Sequence, residues 1–171
     1  MVAMIVPMLF IGIGMAATVS RRYAILVSIH RPLGIAILLL AVLRLVNRWV
    51  NPPPPLPPDL RALQRFAAVA SHHLLYAFML ILPLVGWAML SAAAYPIALW
   101  GGLYLPSIVP QDPGTYAWLR RAHTALALLF FATIVLHFGA ALFHALIRRD
   151  GVFESMASWR RTKSGSADPR P

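Results

Sequence analysis

The sequence predicts an all-α membrane protein, a four-helix transmembrane bundle with both termini in the cytoplasm. Three observations carry that expectation. Hydrophobic residues make up 60% of the 171 positions and charged residues only 12%, with a mean hydropathy of +0.71; so few polar side chains cannot coat a water-soluble domain of this length. Four long apolar runs follow one another, each near the ~20 residues that a bilayer span requires. The charges lie at the ends of those runs.

The first run, residues 1–19, is apolar throughout and leads into Ser20-Arg21-Arg22, which mark its exit into water. It has no basic region before it and a second run follows closely, so it reads as a retained span and not as a signal peptide. The second run begins near Ile29-His30, continues unbroken through 33–43, and meets Arg44, Asn47, Arg48 and Trp49, an interfacial grouping. A proline run, residues 51–59, then excludes helix and predicts a stiff polyproline spacer.

Residues 60–70 form an amphipathic lead-in with Arg61 and Arg65, and the third span covers about 71–93, with Pro83 as a local kink. Residues 95–116 mix Pro96, Gly101, Gly102, Pro106, Pro110, Pro113 and Gly114 with apolar side chains, which predicts an irregular lid. Its Trp100, Tyr104 and Leu105 suit the membrane surface. The fourth run, 118–147, ends in Arg148-Arg149-Asp150-Gly151 and gives way to a polar, basic tail.

The net charge of +10, from 15 Lys+Arg against 5 Asp+Glu, would raise the question of nucleic acid in a soluble chain. Its placement at span ends makes it a topology signal instead, with lipid as the surrounding partner and no nucleic acid. Arg44, Arg48, Arg61 and Arg65 join six basic residues of the C-terminal segment on one side, against Arg21, Arg22, Arg31, Arg120 and Arg121 on the other. The richer side is the cytoplasmic one. Cysteine is absent, which excludes disulfides, thiolate-bound iron–sulfur clusters and covalent Cys-x-x-Cys-His haem attachment.

The six histidines, His30, His72, His73, His123, His137 and His144, all fall within or at the ends of the runs, where an imidazole without a partner is costly. A bond to a backbone carbonyl or lipid headgroup explains any one of them. Together they say more. His123 and His137 are fourteen residues apart, which on a helix is ~21 Å of rise and about 40° of rotation, so one helix offers an imidazole at each of two depths. His30, on the second helix, shares the depth of His123. Two imidazoles facing each other across a bundle form a bis-histidine haem site, with no axial position left open. Zinc is the rival metal, but it asks for further donors and the spans contain no acid.

Arg44 lies fourteen residues below His30 on the same face. It reads either as a snorkelling interfacial arginine or as a partner for an inner propionate or an anionic quinone headgroup. Arg31 and Arg120-Arg121 stand next to His30 and His123 and are candidates for outer propionates. His73 suits interfacial capping, while His72 and His144 are open between capping and proton exchange with a quinone at the inner surface.

With these residues placed, the chain resembles the bacterial cytochrome b561 family of small four-span dihaem proteins of the inner membrane. The resemblance rests on Ser28-Ile-His30-Arg-Pro-Leu-Gly34, on Leu43-Arg44-Leu-Val-Asn-Arg48 before the proline run, and on His72 leading to Tyr76 and Leu82-Pro83-Leu-Val-Gly86-Trp87. It continues in Ala122-His123, Leu136-His137 and Phe143-His144. It covers residues 1–162 as one transmembrane domain and leaves 163–171 as a disordered basic tail.

The resemblance implies two haem b groups, the outer one held by His30 and His123 and the inner one with His137 as a ligand. It implies electron exchange with ubiquinone or another quinone, with Arg44 and His144 near the inner site, and in some members oxidation of superoxide at the outer face. It also admits a role as the haem b anchor of a dehydrogenase or hydrogenase partner. A haem-free structural membrane protein is the competing class. Members of the family carry a ligand histidine early in the first span, and this sequence has none there; a start assigned too late accounts for that, as does a genuinely altered inner site.

Overall fold

The computed structural model describes residues 1–18, 20–52, 62–99 and 102–148. The predicted polyproline spacer from residue 53, the lead-in residue Arg61, Trp100 with Gly101 of the lid, and the tail from Arg149 lie outside them. The side chains of His144 and Arg148 do as well.

Helix α1 is Val2–Ala17 and stops where Thr18 turns extended. Its 16 residues span ~24 Å at 1.5 Å each, somewhat less than the ~30 Å hydrocarbon layer. Helix α2, Arg21–Val50, starts well before the predicted entry near His30. The reason is local: the Ser20 side chain accepts the Arg22 N–H at 3.3 Å, an N-cap that turns the arginine pair into a first helical turn. Helix α3, Ala62–Ala92, fuses the amphipathic lead-in and the third span into one element.

The end of α3 is a Schellman motif. Tyr95 N–H reaches the Leu90 carbonyl and Ala94 N–H the Ser91 carbonyl, with Ala94 at φ 59°, a left-handed position that glycine usually fills. The lid is less irregular than its prolines and glycines suggest. Strands β1, Ile97–Ala98, and β2, Tyr104–Leu105, pair antiparallel, Ile97 with Leu105 and Ala98 with Tyr104. Helix α4, Pro113–Phe143, takes Pro113-Gly114 out of the lid. Proline suits a first helical position because its missing N–H would have no intrahelical partner there, and Asp112 caps the turn through a 2.6 Å bond from Thr115 N–H. A π-helical turn, His144–Arg148, continues α4.

Among the described residues three helices are long and apolar enough to cross a membrane: α2, α3, and α4 with its extension to Ile147. Their outward faces remain apolar, with Leu43, Leu128 and Leu136 between 64 and 74% exposed. Exposed leucine on this scale is what a lipid-facing helix presents and what a water-facing one avoids.

The chain divides into two units, Met1–Ile134 and the segment from Val135 onward. In the first, α1 packs on α2 and α2 on α3. The core consists of Ile37 and Ala41 of α2, Phe78, Met79 and Leu82 of α3, and Phe130 of α4. Phe78 and Phe130 meet with ring centroids 5.5 Å apart. On α2 the buried stripe is Gly34, Ile37 and Ala41, and helical spacing puts His30 at one end of it and Arg44 at the other.

Candidate functional site

At one end of the stripe the rings of His30 on α2 and His123 on α4 face each other, with centroids 6.3 Å apart and planes at 73°. The Nδ1 atoms of both are buried, and neither has a hydrogen-bond partner. A buried polar atom left unpaired costs about 1–3 kcal/mol, and folded proteins rarely leave two together. The spacing explains the pair. Two imidazoles bound from opposite sides to one iron, each through a bond of about 2.0–2.1 Å, put their ring centres roughly 6–6.5 Å apart. The two residues present therefore fit the axial demands of a haem.

Among the described residues no group of three or more His, Cys, Asp or Glu comes together. That leaves the facing histidines without the additional donors that zinc would ask for. His30 sits in the third turn of α2 and not at its start, so it is held by helix on both sides. Its partner comes from α4, whose remaining contacts to the core of this unit run through Phe130, Leu126, Ala127 and Ile134.

At the other end of the α2 stripe, Arg44 Nε donates to the Tyr76 hydroxyl at 2.9 Å, and the Arg48 guanidinium lies over the Tyr76 ring, 5.5 Å from its centroid. Arg44 is thus tied to α3. The sequence shows Tyr76 within a motif and Arg48 as an interfacial charge. What it lacked was the approach of α2 to α3 across 32 residues of chain.

The other candidates are distributed. Arg120 and Arg121 line an open groove on α4 with Tyr116, Thr124 and Leu128, and His123 is not among its lining residues. His73 Nδ1 bonds to the Val69 carbonyl one turn earlier at 2.8 Å, inside α3 and not at its end, so it does not cap the helix as expected. His137 is on α4 in the second unit and is half-buried; His144 begins the π-helical turn. Over the first unit the lid is tied down at several points. Trp87 Nε1 donates to the Pro106 carbonyl at 2.8 Å, Ile108 N–H to Ser91 Oγ at 3.2 Å, and Asp112 N–H to the Ala92 carbonyl at 3.1 Å. Ile97 of β1 is buried.

Apolar helices that bring together two imidazoles, each with an unpartnered Nδ1, describe a membrane protein with a candidate haem site. Comparison with known proteins makes the class specific. The model of the prokaryotic cytochrome b561 family matches residues 1–159, and the chain belongs to that family. Cytochrome b561 homolog 2 of Escherichia coli K12 is 30% identical over 130 residues, which cover 75% of this chain and 69% of the relative. Cytochrome b561 homolog 1 of the same organism is 29% identical over 142 residues, 83% and 80% of the two chains. A probable superoxide oxidase, CybB, of Yersinia pestis is 29% identical over 133 residues, 78% and 75%. Membership brings b-type haem, membrane helices and electron transport.

Proposed function

We propose that this cytochrome carries electrons across the bacterial inner membrane between the quinone pool and a donor or acceptor at the outer face. In this reading α1 is the fourth span, both termini are cytoplasmic, and His30 and His123 are the axial ligands of an outer haem b. The carrying observation is the pair of buried, unpartnered Nδ1 atoms on rings 6.3 Å apart. When bound, haem supplies one-electron chemistry at a potential tuned by its axial ligands and surroundings. The protein surrounds both imidazoles with apolar helix.

His137 supplies one ligand of a second, inner haem b. Arg44, with Nε committed to Tyr76, turns its remaining N–H groups to an anion at the inner surface, either a propionate or a quinone headgroup. His144 exchanges protons with that quinone. Spectra of the purified protein before and after dithionite test the core of this reading. A Soret shift and a sharp α band are expected, and His30→Ala and His123→Ala should each remove one haem per chain; wild-type haem content in both variants would refute the pairing.

A second use of the same site is the one-electron oxidation of superoxide to dioxygen with quinone as the final acceptor. The likeness to the Yersinia protein favours it. Stopped-flow mixing with superoxide should reduce the haem within the mixing experiment, and a haem that stays oxidised would leave this chain as a carrier for a protein partner.

A further inference from the structure

We infer that Gly86 is a positioning residue for the His123 imidazole: the missing side chain on α3 is what allows the ring to reach the gap facing His30. This rests on the reading that these two histidines hold a haem. A Cβ placed at position 86 would lie 3.2 Å from His123 Cε1 and 3.5 Å from its Nδ1. Carbon–carbon contacts prefer about 3.5–4.0 Å, so even a methyl is tight there. The atoms it would meet belong to a rigid ring whose Nδ1 is the same buried, unpartnered nitrogen.

Neither side can give way cheaply. Turning the ring from α3 moves it relative to His30, 6.3 Å away. Backing α3 off strains its ties to the lid, because Trp87, the next residue, bonds to the Pro106 carbonyl, and Ser91 holds both the Trp87 carbonyl and the Ile108 N–H. Leu82, one turn earlier, is buried in the core. The other glycines in described helices differ. Gly12 and Gly139 have open space, Gly34 would meet only the flexible tip of Met8, and Gly14 a methyl of Leu26. Glycine is the poorest helix former after proline, so its presence in the middle of α3 wants a reason, and the imidazole against its backbone supplies one.

The test is a size series in the full chain, Gly86→Ala, Gly86→Val and Gly86→Leu, with Gly12→Ala as a control and His123→Ala as the reference for loss of the site. Haem content per chain, the low-spin electron paramagnetic resonance signal and the midpoint potential are read for each. Gly86→Ala should keep its haem but shift the resonance line and the potential; Gly86→Leu should lose one haem per chain, as His123→Ala does; Gly12→Ala should match wild type. Wild-type content and line shape in Gly86→Leu, with haem lost in His123→Ala, would overturn the role of Gly86 and leave the ligand pairing intact. Haem retained in His123→Ala would overturn both. Should Gly86→Leu not accumulate, Gly86→Ala decides, and an unchanged resonance line and potential overturn the proposal.

Discussion

The two ends of the buried α2 stripe meet their neighbours in opposite ways. At one end His30 and His123 face each other with a nitrogen on each ring left without a partner. At the other, Arg44 and Arg48 both close on Tyr76, the first by a hydrogen bond and the second over the ring. Burying a polar group without a partner is expensive, whereas a satisfied one is close to neutral. The first end thus keeps unmet bonding capacity, and the second is a clasp between two helices.

The largest effects should fall at the histidine end. On the proposed pairing, removing either imidazole should abolish that haem's absorbance, while the helical circular dichroism persists because the Phe78–Phe130 core is untouched. The guanidinium end should respond by degree. Arg44→Gln is expected to raise the quinol KM roughly tenfold, the equivalent of about 1.4 kcal/mol and near the lower range for a charge-assisted bond. Tyr76→Phe keeps the ring beneath Arg48 and loses only the hydroxyl, so its KM should rise less and its melting temperature fall by roughly 2–4 °C. Equal haem loss in both groups of variants would erase the distinction between the ends.

The smallest effect belongs to the cap that starts α4, the helix of His123. The Asp112 carboxyl is held below the ordinary carboxylate range by the Thr115 side chain and then by backbone N–H groups of Thr115 and Gly114. Because the folded value is depressed, the cap's contribution is fully present above the unfolded value of 3.8 and is lost as pH falls through the lower folded value. The melting temperature of Asp112→Ala should therefore trail wild type by a constant few degrees near neutral pH, begin to approach it as pH falls below 3.8, and meet it only below the depressed folded value. The histidine-end spectrum should not change, which would separate a change in fold stability from a change in the site.

Much of this was legible in the sequence because the relevant information is periodic. Apolar runs of span length announce α2, α3 and α4, and fourteen-residue intervals put His30 and Arg44 on one face. What escaped depends on short-range chemistry or on neighbours. The start of α2 shifted to Arg21 because a serine cap outweighs two exposed charges, and Pro113-Gly114 turned out to open a helix although both residues usually mark loops. Tyr76 and Gly86 carried no signal of their own. One matters for the hydroxyl it places beneath an arginine from another helix, the other for a contact that exists only once α3 and α4 are side by side.

Between the two ends, the core of the first unit is Ile37, Ala41, Phe78, Met79, Leu82 and Phe130, with no hydroxyl, amide or ionisable side chain among them. A proton moves by hopping between groups that can both give and take one, and these side chains form no such relay; an electron needs only a short path through close-packed matter. On the proposed function, an electron crossing this core would travel without a proton carried by these six side chains, so the charge would move uncompensated over that stretch.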